Sequence, residues 1–148
     1  MDKRNPLAPN TRNDHTRDTR RQKESCDHIV VSFEYFDFTQ PKNKKESFEL
    51  WQKENILVAL NNKFVEICKL TPSEAKISQH LKVYGDFPRS SDSDFRMPSH
   101  VPDDVEWGVI RKIGGQKHVV AGFISDNVFY AVFLDKEHRF WISEKKHT

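Results

Sequence analysis

Seven basic or imidazole side chains punctuate the last third of this 148-residue chain: Arg111, Lys112, Lys117, His118, Lys136, His138 and Arg139. They fall at the ends of short β-type runs, so a folded sheet would carry them along its margin. Guanidinium and ammonium groups hold phosphate oxygens and stabilise charge that builds on them. Imidazole changes protonation near neutral pH, which suits proton transfer. Together these types could act on a phosphodiester without a metal. The same layout also fits a sheet whose edges are only charged and solvated, and the residues alone leave both readings open.

The frame for those residues is legible from patterning. Val105–Ile113, Lys117–Ile124 and Val128–Leu134 are rich in β-branched and aromatic residues, with Gly114-Gly115 and Ser125-Asp126-Asn127 between them. The first spacer matches a two-residue hairpin turn. The third run is apolar on both faces, which predicts a central strand. Arg139–Ile142 is either a fourth short run or a packed tail. Upstream, His28–Phe38 alternates from Val31 onward and predicts a strand. Thr39–Lys45, with Pro41 and three lysines, predicts a loop. Phe48, Trp51, Leu57, Leu60, Phe64, Ile67 and Cys68 recur every three or four residues, which predicts one amphipathic helix of about 20 residues. Ser47 is its candidate cap and Asn61-Asn62 its candidate break. Thr71-Pro72-Ser73-Glu74 reads as a capping box with proline at the first helical position, so a short second helix should run to about His80. Leu81–Tyr84 is a candidate brief strand. Gly85–Asp104 is the longest irregular stretch, of a kind usually functional or mobile. The expected fold class is α+β, an antiparallel sheet packed by two helices in the order β-α-α-β-β-β-β.

Composition narrows the classes. One domain suits this length. Residues 1–27 lack hydrophobic periodicity and predict a flexible basic and polar tail ahead of a single domain over 28–148. That tail holds seven of the 24 Lys/Arg and five of the 22 Asp/Glu, leaving 17 of each in the domain. Nucleic-acid binding must therefore come from a local patch, Arg17, Arg20, Arg21 and Lys23 of the tail among the candidates. No apolar run reaches the roughly 20 residues of a membrane span, and no secretory signal opens the chain, so a cytoplasmic protein without a membrane partner is expected. Cys26 and Cys68 stand outside any ligand cluster and are expected as reduced thiols. Asp86, Asp92, Asp94, Asp103, Asp104 and His100 follow no recognised ion-binding spacing, so no metal site is assigned.

Three segments carry a family likeness: Trp107-Gly108-Val109-Ile110-Arg111-Lys112-Ile113, His118-Val119-Val120-Ala121-Gly122-Phe123, and Phe133-Leu134-Asp135-Lys136-Glu137-His138-Arg139-Phe140. With the order of elements over residues 28–142, they resemble the RelE/ParE superfamily of bacterial toxins. The resemblance implies a small endoribonuclease from a toxin–antitoxin or phage-defence module, acting on messenger RNA, often at the ribosome, and held inactive by an antitoxin protein. It implies cleavage with no cofactor: a base takes the ribose 2′-hydroxyl proton, the 2′-oxygen attacks phosphorus, and an acid protonates the leaving 5′-oxygen. Carried over, His138 is the acid or base and His118 a second one or a plain strand residue. Arg111 and Lys117 hold phosphate oxygens. Arg139, Lys112, Lys136 and Trp141 contact substrate. The family's C-terminal tyrosine is absent; Phe140 and Trp141 stand there and can stack on a base but cannot transfer a proton. The alternative is a non-catalytic protein- or RNA-binding module on the same scaffold, acting through the 85–104 loop and the N-terminal tail.

Overall fold

The computed structural model describes residues 27–115 and 117–142. Its elements are β1 (Val30–Ser32), α1 (Phe48–Lys53), α2 (Leu57–Ile67), α3 (Pro72–Ile77), β2 (Leu81–Gly85), β3 (Glu106–Ile110), β4 (Val119–Ser125) and β5 (Val128–Asp135), with a 3₁₀ turn at Ser90–Asp92. The fold is α+β, with one five-stranded sheet in the order β1-β5-β4-β3-β2. β2 to β5 form an antiparallel meander, and β1 lies parallel to β5. The sheet is thus mixed, not antiparallel throughout. The three helices supply the long crossover that lets β1 enter beside the last strand.

The capping signals act as read. Ser47 accepts the Leu50 N–H at 3.1 Å. Thr71 and Glu74 exchange both bonds of a capping box. The predicted single long helix is two, α1 and α2, because Asn55 takes a left-handed φ of 62°. The Asn55 N–H then bonds to Gln52 O and the Ile56 N–H to Trp51 O, which ends α1 in a Schellman motif. The break therefore falls at Asn55, not at Asn61-Asn62. Gln79 repeats the device after α3. The β3–β4 connection spans residues 111–118 and is no two-residue turn, and Arg139–Ile142 is a packed tail rather than a strand.

The sheet buries both faces. Trp51, Leu60, Ile67 and Ala75 of the helices cover Leu81, Ile110, Val120, Phe129 and Leu134 on one side. On the other, Phe95, Val101 and Phe140 cover Trp107, Val109, Ala121, Phe123 and Phe133. The long 85–104 stretch is thus a second packing layer, with Phe95 fully buried. A register shift opposite Ala121/Gly122 leaves Val132 and Phe133 both on this loop face, and alternation from there puts Asp135 on it too. Gly122 permits the close approach: a Cβ there would lie 1.9 Å from Tyr130 O.

Residues 1–26, with Cys26 and the tail arginines, and the closing Lys145-Lys146-His147-Thr148 lie outside the described residues. Among those described, no helix is long and apolar enough to cross a membrane. Cys68 ends α2 as a free thiol. If the 85–104 stretch is a packing layer, F95A should lower unfolding stability by about 3–5 kcal/mol in urea titration. V58A, at a site 71% exposed, should stay within about 0.5 kcal/mol of wild type. An F95A protein as stable as V58A would show that the stretch carries no core.

Candidate functional site

Where β5 ends, the chain turns through Lys136, Glu137 and His138, the last with a left-handed φ of 62°. Asp135 makes that turn possible. It is fully buried and accepts the N–H groups of Arg139 at 2.8 Å and Phe140 at 2.7 Å, and also that of His138. Glu46 does the matching work from the opposite wall. Its buried carboxylate accepts the Trp51 indole N–H at 2.7 Å and the Lys136 N–H at 2.9 Å. Burial pushes the Asp135 carboxyl up to about 6, against the pull of the N–H donors and Arg139. Burial likewise raises Glu46, opposed by its bonds to Trp51 and Lys136.

Loop 39–46 is pinned at its other end too. The Gln40 amide donates to Arg96 O at 2.9 Å and accepts the Arg96 N–H at 2.6 Å. Between these anchors opens a cleft of about 1040 Å³. Loop 39–46 forms one wall; Asp94, Arg96, Glu137 and Arg139 form the other. Its three carboxylates are all engaged. Asp94 pairs with Arg139 at 2.6 Å, Glu137 with Lys117 at 3.2 Å and Lys136 at 3.1 Å, and Glu46 is held as above. Lys136, then Lys117, hold Glu137 down to about 2. Lys42, Lys44, Lys45 and Arg96 have no carboxylate partner among the described residues; Arg96 only donates Nη1 to Ser93 O and Phe95 O. Four unopposed cations thus face the cleft, and an anion is the complementary ligand.

The residues singled out from sequence divide among three places. Arg139 lines this cleft, and His138 stands between it and Glu137, its ring without a polar partner among the described residues. The Lys117 and Lys136 ammonium groups meet the cleft at Glu137, and that of Lys136 also reaches Glu54 at 3.5 Å. His118 faces the helix layer, its ring 6.0 Å from that of Trp51 and its Nδ1 2.9 Å from Lys136 O. Arg111 lies on the loop face near Tyr84, and Trp141 stacks on that same tyrosine. Lys112 donates to Ser78 O at the end of α3. The structure therefore gathers Arg139 and Glu137 with the lysine loop, leaves His138 between them in sequence but outside the cleft lining, and keeps His118 and Arg111 apart from one another. From sequence, Lys42, Lys44 and Lys45 read only as loop residues, and Arg96 only as part of the long 85–104 stretch. The run of lysines around Pro41 was the available signal.

Among the described residues no group of three or more His, Cys, Asp or Glu is arranged to hold a metal ion. The chain matches no known family model, no curated protein and no solved structure.

Asp135 sets a pH test. Its folded pKa of about 6 exceeds the ordinary 3.8, so the folded state holds a proton that the unfolded chain releases. That contribution is most favourable below the ordinary value and is lost as pH rises through about 6. Relative to D135N, wild type should lose about 2 kcal/mol of stability between about pH 4 and pH 7. Denaturant titrations of both proteins across that range check it; parallel curves would contradict it.

Proposed function

We propose that this protein is an RNA-binding module that seats the phosphodiester backbone in the cleft between loop 39–46 and the Glu137–Arg139 turn. One observation carries the reading: Lys42, Lys44, Lys45 and Arg96 face a shared cleft whose carboxylates are already engaged by other partners. Backbone-directed binding needs such a local concentration of cations, whatever the net charge of the chain. The resemblance to RelE/ParE toxins makes RNA the polymer to test. Arg96 belongs to the 85–104 stretch, so that stretch takes part as a cleft wall.

The position of His138 favours a second reading, metal-independent endoribonuclease activity of the toxin type. Its imidazole is flanked in sequence by two cleft residues and has no polar partner among the described residues. There it would take the 2′-hydroxyl proton or protonate the leaving 5′-oxygen, with Arg139 and the loop lysines balancing charge on the phosphorane. His118 is then a packing residue whose Nδ1 meets Lys136 O. An antitoxin partner belongs to this reading alone.

K42A/K44A/K45A should weaken single-stranded RNA binding by at least about tenfold at low salt and lower the salt slope by about 2, at about 0.7 per phosphate. Fluorescence anisotropy across a salt series measures both. Unchanged affinity would remove the binding reading. For catalysis, wild type should cleave RNA in EDTA, and H138A should lose about a hundredfold or more in rate while still binding RNA. Equal cleavage by H138A would end the catalytic reading and leave the binding one intact.

A further inference from the structure

A second group of cations lies beyond the cleft, on the loop face near the free edge of the sheet. Tyr84 of β2 and Trp141 of the tail stack with centroids 4.3 Å apart and planes 12° from parallel. Lys82 Nζ sits over the Tyr84 ring, 5.2 Å from its centroid. The Arg111 N–H bonds to His80 O at 2.9 Å, which sets Arg111 alongside the start of β2. Burial raises the Tyr84 hydroxyl, and the nearby Arg111 charge draws it back. Neither Lys82 nor Arg111 forms an ion pair with a described carboxylate. Trp51 and Trp107 are buried, whereas Trp141 is partly exposed.

The two places are joined by the chain itself. Arg139 lines the cleft, and Trp141 follows two residues later, a span of at most about 7 Å. That segment is fixed against the long stretch: the Asp94 N–H bonds to Arg139 O at 3.0 Å and the Ile142 N–H to Asp92 O at 2.8 Å. Aromatic rings beside unpaired cations are the means by which proteins hold single-stranded nucleic acid, base on ring and phosphate on cation. Duplex RNA would keep its bases stacked on one another and leave the rings unused.

We infer that Lys82, Arg111 and the Tyr84–Trp141 pair form a second nucleotide subsite, continuous with the cleft along the Arg139–Trp141 segment, for the next part of one single-stranded RNA. This rests on the RNA reading of the cleft and adds strand polymer length and single-strandedness to it. Lys82 and Arg111 bind phosphate, and the exposed part of the Trp141 ring receives a base.

The test compares a trinucleotide with a decanucleotide of single-stranded RNA against wild type, K82A/R111Q, W141F and K42A/K44A/K45A. In wild type the longer RNA should bind more tightly and quench tryptophan fluorescence. K82A/R111Q should weaken the decanucleotide roughly tenfold, lower its salt slope by about 1.4, and leave the trinucleotide unchanged. W141F keeps a ring against Tyr84 and should abolish the quenching. If K82A/R111Q binds the decanucleotide as wild type does while the lysine-loop variant is weakened, the second subsite is wrong and the cleft reading stands. If neither variant is weakened, both fall.

Discussion

The N–H groups of Lys136, His138, Arg139 and Phe140 leave the sheet ladder where β5 stops. Two buried carboxylates take them up. Asp135 collects the last three, and Glu46 collects the first from 90 residues away in the chain. Burying a carboxylate is costly, and the raised pKa of both groups expresses that cost. Leaving a buried N–H unpaired costs about 1–3 kcal/mol, and the N–H of the fully buried Phe140 is the one Asp135 accepts at the shortest distance, 2.7 Å. The Trp51 indole N–H on Glu46 adds a fifth donor and ties α1 to the same point. Helix layer, lysine loop and tail therefore meet at one polar junction.

That junction also sets the charge of the cleft. With Glu46 held inside, loop 39–46 leaves it as a stretch of exposed lysines with no acid of its own left in the opening. Glu137 is drawn toward Lys117 and Lys136, and Asp94 toward Arg139. These exposed pairs add little to stability. Their larger effect is to remove each acid from competition for the remaining cations. The positive field belongs to this arrangement rather than to composition, since acidic and basic residues balance over 28–148.

Local rules made the helical caps legible. Ser47 and the Thr71/Glu74 box each need only residues three apart, and both form. The apolar run of β5 announced a strand flanked on both sides, and it lies between β1 and β4. What escaped depends on partners distant in sequence. β1 pairs parallel with a strand almost 100 residues later, and no local pattern encodes that choice. The irregular 85–104 stretch reads by its length as functional or mobile, and Phe95 and Val101 show no period, yet each fills a place on the far face of the sheet. The cleft was hidden for the same reason: Gln40 meets Arg96 across 56 residues.

A sheet packed on both faces is also a partition, and this decides which cations can cooperate. Val119 faces the loop layer and Val120 the helices, so His118 falls on the helix side, beside Trp51. Arg111, next to Ile110 on the helix face, falls on the loop side beside Tyr84. One phosphate cannot touch both through a layer of buried side chains. Groups meant to share a ligand must sit past the strand ends, where no strand intervenes, or on the same face. The turn after Asp135 meets the first condition and brings Glu137 and Arg139 to the lysine loop. Lys82, Arg111, Tyr84 and Trp141 meet the second. A ligand that used both places would have to be a flexible polymer laid along the rim, since a small anion reaches only one of them.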